Sequence, residues 1–190
     1  MDVTQALNSL SEIREKLSQS QIYRGYRPLT VALTGVFAIF GGWLSQQSPP
    51  AIVWPAVAIV CLALVGGEMA YDYLCNFSRH QQHMARKVLH QFLPGLMLGA
   101  GWTVVWLQGG HSQTFLPAVW SLCYSHCLFA SRPYLPVGVG YVALFYGLCA
   151  MALSTPLAMT RFNLGMTLTF ALGQGLLALI LYCNHPRGEC

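Results

Sequence analysis

The sequence predicts an all-α polytopic membrane protein, with six transmembrane helices preceded by a short amphipathic helix. Only 8% of its 190 residues are charged and 55% are hydrophobic, whereas a soluble domain usually carries about 25% charged residues. Six segments are apolar over most of the roughly 20 residues that a helix needs to cross a bilayer. The polar breaks between them are too short to form a soluble domain. We therefore expect one helical membrane domain over residues 28–184.

The segment before this domain, residues 1–27, is predicted to form an amphipathic cytoplasmic helix. Val3, Leu7, Leu10, Ile13 and Leu17 recur at helical spacing and form a single apolar stripe. The opposite face is not basic, whereas a helix that lies on a membrane surface usually has a basic polar face. The helix is therefore expected to pack on protein, either with its own copy as a short coiled coil or against the cytoplasmic loops.

Six apolar segments follow, separated by polar breaks. A helix rises about 1.5 Å per residue, so roughly 20 residues cover the hydrocarbon core. The first, fourth and fifth segments are shorter than this, and the second and third are separated by a polar connection, Asn76–Lys87. The predicted spans are Leu29–Leu44, Ala51–Cys75, Val88–Leu107, Phe115–Ala130, Val137–Leu153 and Leu164–Cys183.

The basic residues predict the orientation, because Lys and Arg favour cytoplasmic loops. With the N-terminus inside, the only basic residue outside is Arg161. Six spans return the chain to the same side, so both termini are expected to be cytoplasmic, with residues 185–190 as a short tail. The net charge of +4 then reflects membrane orientation, and we expect no nucleic-acid partner. The basic residues on the cytoplasmic side are Arg14, Lys16, Arg24, Arg27, Arg79, Arg86, Lys87, Arg132 and Arg187.

Two carboxylates lie inside the second predicted span. Glu68 and Asp72 are one turn apart on the same helix face, and Glu68 lies roughly 10 Å from the cytoplasmic end of the span. A charge at this depth indicates either a structural ion pair or a proton- or cation-handling group. Arg132 is the favoured partner, with Arg24 and Arg27 as alternatives. Because Glu68 is the deeper of the two, its loss is expected to destabilise the protein more.

Small residues in the spans predict close contacts between helices. Gln174 lies near the middle of the last span, where its amide is expected either to pack and hydrogen-bond between helices or to line a cavity. The small-residue groups are Gly66-Gly67, Gly95 with Gly99, Gly138 with Gly140, and Gly173 with Gly175.

Two groups of residues have side chains of the types that can bind a metal or haem iron. Cys123, His126 and Cys127 have spacing i, i+3 and i+4 in the fourth span, but they match neither a haem attachment box nor a paired zinc pattern. Their alternative role is apolar packing. A second group, His80, His83 and His90, lies near the inner interface, where solvation or contact with anionic lipid is the alternative to metal binding. We expect no resident metal, no cofactor and no structural disulfide.

Short motifs along most of the chain carry a family resemblance. They are Glu12-Ile13-Arg14 through Arg24-Gly25-Tyr26-Arg27, Gly67-Glu68-Met69, Gln91-Phe92-Leu93-Pro94, Phe129-Ala130-Ser131-Arg132, Leu135-Pro136, Phe145-Tyr146, and Gly173-Gln174-Gly175 through Leu181-Tyr182. With these motifs the chain resembles a family of small bacterial multi-pass membrane proteins of uncharacterised function. The resemblance implies a bacterial inner-membrane location and brings no activity, cofactor or substrate. The cysteines and histidine of Cys123–Cys127 depart from the pattern.

The motif inventory favours a non-enzymatic role. The sequence contains no phosphate-binding loop, no His-Glu-x-x-His and no Gly-x-Ser-x-Gly, and we expect no catalytic residues. The leading interpretation is an integral membrane accessory, scaffold or sensing subunit, with the bilayer and either its own copies or another membrane protein as partners. One alternative is a small oligomeric transporter or channel-like protein that uses Glu68, Asp72 and Arg132, with Gln174 near its path. The other is a haem- or metal-binding membrane protein.

Overall fold

The computed structural model describes residues 27–109, 113–155 and 161–184, and over these ranges the chain is all-helical. The predicted N-terminal helix and the tail at residues 185–190 lie outside the described residues. Two short 3₁₀ turns, Gln113–Phe115 and Arg132–Tyr134, flank the fourth helix. The α-helices are α1 (Pro28–Leu44), α2 (Pro50–Cys75), α3 (Arg79–Gln108), α4 (Leu116–Ser131), α5 (Val139–Leu153) and α6 (Phe162–Cys183).

Proline marks the start of three helices. Pro28, Pro50 and Pro117 lie in the first turns of α1, α2 and α4, where a missing backbone N–H removes no helical hydrogen bond. Two further prolines, Pro55 and Pro94, lie inside α2 and α3. The observed ends of five helices agree with the predicted spans to within two residues.

The exception is α3, which begins at Arg79 and contains 30 residues. The prediction of a polar connection over Asn76–Lys87 is therefore wrong for most of that segment. Its polar side chains belong to a helix with one solvent-exposed face, because Met84, Ala85 and Val88 on the other face are buried.

A capping box starts α3. The Ser78 hydroxyl accepts a hydrogen bond from the Gln81 backbone N–H at 3.4 Å, and the Gln81 side chain accepts one from the Ser78 backbone N–H at 2.8 Å. Each side chain thus satisfies a backbone donor that a helix start leaves free. The pattern was readable as Ser-x-x-Gln, but the polarity of the following residues concealed the helix.

Contacts between helix ends show that successive helices along the chain run in alternate directions. At one end, Arg27 before α1 contacts Asp72 near the end of α2, and Lys87 near the start of α3 lies 6.0 Å from the centre of the Tyr134 ring, just beyond α4. At the other end, Trp54 near the start of α2 donates a hydrogen bond to Asn163 near the start of α6. We call the first the basic end, with Arg27, Arg79, Arg86, Lys87 and Arg132, and the second the Arg161 end.

The hydrophobic core lies in the half of the bundle nearest the basic end. It joins the start of α1 and α3, the end of α4, the first half of α5 and the end of α6. Its buried members are Val31, Met84, Ala85, Val88, Leu128, Leu135, Val139, Val142, Ala143, Tyr146, Leu177, Ala178 and Leu181. Helix α2 contributes none of them, although its Met69 and Tyr73 pack against the cluster.

Three of the described helices, α2, α3 and α6, are long and apolar enough to cross a membrane. Helices α1 and α5 are apolar but shorter, with 17 and 15 residues, and α4 has 16 residues. The fold is thus a helical bundle with three candidate membrane-spanning helices.

Candidate functional site

An ion-pair cluster joins α1 and α2 at the basic end. Arg27 Nη2 lies 3.0 and 3.1 Å from the two carboxylate oxygens of Asp72, and Arg27 Nε lies 3.1 Å from Glu68 Oε1. Asn76, one turn after Asp72, donates a hydrogen bond from its side-chain amide to Asp72 Oδ1 at 2.7 Å. Two carboxylates thus share a single guanidinium, which leaves this cluster with one net negative charge.

The favoured pairing of Arg132 with these carboxylates is wrong, because Arg27 takes that place. The Arg132 side chain lies over Gly140, where an added Cβ would come 3.2 Å from Arg132 Nε. Arg27 directly precedes α1, whose start lies beside the end of α2. Arg24, the other alternative, is outside the described residues. The residues of one end were predictable, but their pairing depends on which helices are neighbours.

Asp72 is better enclosed than Glu68, although Glu68 is deeper along the helix. The Asp72 side chain is 6% exposed and that of Glu68 is 19% exposed, while Arg27 is 56% exposed. Burial depends on the direction in which a side chain leaves the helix, and Asp72 points towards more of the protein. We therefore expect the loss of Asp72 to destabilise the protein more than the loss of Glu68, the reverse of what depth along the helix alone predicts. Asn76 was not predicted, although its i, i+4 spacing from Asp72 is the signal that would identify it.

The basic end carries an excess of positive charge. Glu68 and Asp72 are the only acidic residues within the described ranges, and both contact Arg27. The other basic side chains at this end therefore have no carboxylate partner in the part of the chain that the structure describes. These are Arg79, Arg86, Lys87 and Arg132.

Helix α2 is the least enclosed of the three long helices. Of its 26 residues only Val53 and Asp72 are buried. A Cβ added at Gly66 or Gly67 would meet nothing within 4 Å. The predicted small-residue surface at Gly66-Gly67 therefore exists, but no described part of this chain packs into it.

At other predicted small-residue positions, side chains of neighbouring helices of the same chain pack against the glycines. A Cβ at Gly95 would overlap the Cys127 side chain, and one at Gly99 would come 3.0 Å from the Trp120 ring. These two glycines let α3 approach α4 closely, as predicted. At Gly173 a Cβ would overlap the Tyr146 ring, so α6 packs closely on α5 there.

Gln174 lies inside the bundle, where it packs between helices. It is buried, and a Cβ added at Gly35 of α1 would come 3.3 Å from Gln174 Cβ. Its amide lies beside the hydroxyl groups of Tyr124 and Tyr146, whose ring centres are 4.8 Å apart. Even so, Tyr146 Oη is buried and completes no hydrogen bond among the described residues. This aromatic neighbourhood of Gln174 was not predicted from the sequence.

The residues predicted as candidates for metal or haem binding do not come together as one ligand set in the described part of the chain. Cys127 is fully buried, and its thiol donates to the Phe92 carbonyl oxygen at 3.2 Å, whereas the neighbouring His126 is exposed and Cys123 is half-buried. No group of three or more His, Cys, Asp or Glu side chains within the described ranges is placed to hold a metal. The histidines His80, His83 and His90 are all exposed along the first half of α3.

A cleft at the Arg161 end was not predicted from the sequence. It has a volume of about 510 Å³ and lies between α1 and the start of α6. Its wall combines the apolar surface of Trp43 with the polar side chains of Gln46, Arg161 and Asn163. Arg161 is the one Lys or Arg among the residues that the structure describes at this end, and its isolation in the charge pattern was the available signal.

Comparison with known protein families, with curated proteins and with solved structures found no match. The resemblance inferred from the short motifs therefore stays a prediction. The structural class that the described residues support is a helical bundle with three helices able to span a membrane.

Proposed function

We propose that the chain is a six-span integral membrane protein that acts as a non-enzymatic accessory, scaffold or sensing subunit. It would act by helix–helix association at the open Gly66-Gly67 surface of α2. That surface is the observation that carries the proposal, because two consecutive glycines lie there with nothing in the described chain against them, whereas Gly101 and Gly175 are isolated open glycines. The family resemblance adds a bacterial inner membrane as the proposed location.

The six-span arrangement rests on the alternation of helix directions. Helices α1, α4 and α5 would cover only about 26, 24 and 22 Å at 1.5 Å per residue. A span shorter than the bilayer core is accommodated by local thinning of the bilayer or by oligomerisation. Five described Lys and Arg residues lie at the basic end and one at the other. The proposal therefore assigns the basic end, and both termini, to the cytoplasm.

Cysteine accessibility tests this topology. In a background without the seven native cysteines, single cysteines at Gln47, which is exposed at the Arg161 end, and at His83, exposed at the basic end, are compared in intact cells. A membrane-impermeant maleimide should label position 47 and should reach position 83 only after lysis. Labelling of both positions, or of position 83 alone, would contradict the topology.

The low helix propensity of glycine favours association on energetic grounds. A glycine inside a helix costs about 0.8–1 kcal/mol relative to alanine. At Gly95 and Gly173 the space is used by a side chain of a neighbouring helix. At Gly66 and Gly67 the chain itself offers no such contact. In a bilayer, apolar character alone does not drive helices together, whereas small residues permit the close backbone approach that does.

Native mass spectrometry of the protein in a mild detergent tests the association. The wild type is expected to be an oligomer, or a complex with a second membrane protein, and Gly66→Leu and Gly67→Leu should shift it to a monomer. Gly175→Leu is the matched control, because a Cβ at Gly175 also meets nothing within 4 Å. The Cβ atoms of all three added side chains meet no described part of the chain, so a complex that is lost in Gly66→Leu and Gly67→Leu but kept in Gly175→Leu would report on the contact.

Two results would refute the proposal. One is a wild-type protein that is monomeric and carries no second polypeptide, both in detergent and after cross-linking in its membrane. The other is an oligomer that Gly66→Leu and Gly67→Leu leave unchanged, or that Gly175→Leu disrupts to the same extent. Ion flux in proteoliposomes that is lost in Glu68→Gln would instead select the transporter alternative, and a stoichiometric metal or a haem absorbance would select the metal-binding one.

A further inference from the structure

The first half of α3 carries a stripe of basic side chains along one helix face. Arg79, His83, Arg86 and His90 follow each other at spacings of four, three and four residues, which places them on one helix face. All four side chains are exposed, while Met84, Ala85 and Val88 on the other face are buried. The stripe therefore lies on the face of α3 opposite its buried residues.

The basic stripe crosses the boundary between the polar and apolar parts of α3. The apolar part begins at Val88, and residues 79–87 extend about 13 Å beyond it at 1.5 Å per residue. In the proposed topology Arg86 and Lys87 then lie at the level of the lipid headgroups. Arg79 lies about 10 Å further from the hydrocarbon, on the same face as Arg86.

Contacts with tyrosines hold both cations at this level. Arg86 Nη2 donates a hydrogen bond to Tyr73 Oη at 2.7 Å, and a guanidinium has four further N–H groups to donate. Lys87 Nζ lies 6.0 Å from the centre of the Tyr134 ring, within the range of a weak cation–π contact. Neither contact neutralises the charge. The only two carboxylates in the described ranges are already bound to Arg27.

We propose that Arg86 and Lys87 form a binding site for the phosphate headgroup of an anionic phospholipid. The two cations follow each other in the chain at headgroup depth, are exposed and have no carboxylate partner among the described residues. Their charge and depth match those of the phosphodiesters of anionic lipids. Arg79 would contribute little, because it lies beyond the headgroups. This inference rests on the six-span topology, but it does not depend on association through α2.

Native mass spectrometry of the purified protein titrated with phosphatidylglycerol, and in parallel with phosphatidylcholine, tests the site. The wild type should bind phosphatidylglycerol in preference, and each of Arg86→Gln and Lys87→Gln should weaken that binding by about 5-fold. Two control variants remove one positive charge elsewhere: Arg79→Gln on the same face of α3, and Arg161→Gln at the opposite end of the bundle. Both should bind phosphatidylglycerol like the wild type. The charge-preserving variants Arg86→Lys and Lys87→Arg should retain most of the binding.

Inorganic phosphate added as a competitor distinguishes the lipid from a free anion: a lipid site should keep its phosphatidylglycerol at phosphate concentrations far above that of the lipid. Equal binding of the two lipids by the wild type, equal losses in all four glutamine variants, or ready displacement by phosphate would each overturn the inference. The same spectra report the oligomeric state. A monomer that binds phosphatidylglycerol through Arg86 and Lys87 would refute association and support the lipid site, whereas an oligomer with no lipid preference would do the reverse.

Discussion

Replacement of Asp72 by alanine should destabilise the protein more than replacement of Glu68, even though Glu68 lies deeper along α2. Asp72 accepts hydrogen bonds from Arg27 Nη2 at 3.0 and 3.1 Å and from Asn76 Nδ2 at 2.7 Å. Glu68 has a single contact, at 3.1 Å from Arg27 Nε. The Asp72 side chain is also the less exposed of the two, at 6% against 19%.

The magnitude follows from these contacts. Hydrogen bonds to a charged group contribute roughly 1.5–3 kcal/mol each, but Arg27 is 56% exposed, and ion pairs with an exposed partner are often worth only about 0.2–1 kcal/mol. Weighing the buried carboxylate against its exposed partner, we expect a loss of about 2–3 kcal/mol for Asp72→Ala. For Glu68→Ala we expect about 0.5–1 kcal/mol, because Arg27 then keeps Asp72.

The assay is the free energy of unfolding in mild detergent micelles, obtained by titration with dodecyl sulfate and followed by far-UV circular dichroism. Double-mutant cycles with Arg27→Gln should give a larger coupling energy for Asp72 than for Glu68. Cycles with Arg132→Gln should give no coupling beyond the roughly 0.3–0.5 kcal/mol that independent sites show. A larger loss for Glu68→Ala, or a coupling to Arg132 that exceeds the coupling to Arg27, would refute the reasoning.

Three further predictions use the same unfolding assay. Gly173→Ala should cost about 1–3 kcal/mol of unfolding free energy, because its Cβ would overlap the Tyr146 ring. Gly175→Ala should be neutral or stabilise the protein by up to about 1 kcal/mol. Equal effects of the two variants would be inconsistent with the close packing of α6 on α5. Ser125→Ala should cost about 0.6–1.7 kcal/mol, because it removes the buried hydrogen bond from Ser125 Oγ to the Ala143 carbonyl at 2.7 Å, and an unchanged stability would show that this bond is not formed. Tyr146→Phe should cause no loss, because its buried hydroxyl completes no hydrogen bond with the described residues; a loss above about 1 kcal/mol would reveal a partner.

The local pattern of the sequence was sufficient for the helices themselves. The ends of α1, α2, α4, α5 and α6 were predicted to within two residues, because apolar length, proline and short polar breaks act on neighbouring residues. The contacts of Gly95 and Gly99 were predicted for the same reason, since a small-xxx-small pair marks one face of a single helix. The start of α3 was missed, because its polar residues cover an exposed helix face and resemble a loop when they are read without their buried face.

The ion-pair cluster separates what the sequence by itself determined from what required the tertiary structure. That Glu68 and Asp72 share a helix face, and that Arg27 and Arg132 belong to the same end, follows from helical spacing and chain direction. The choice of Arg27 over Arg132, and the greater burial of Asp72, depend on which helix lies beside α2 and on the direction in which each side chain leaves its helix. The same holds for the glycines, since Gly66 is open and Gly173 is filled only because of their neighbours. Spacing along a helix is local, whereas packing is decided by residues far apart in the chain.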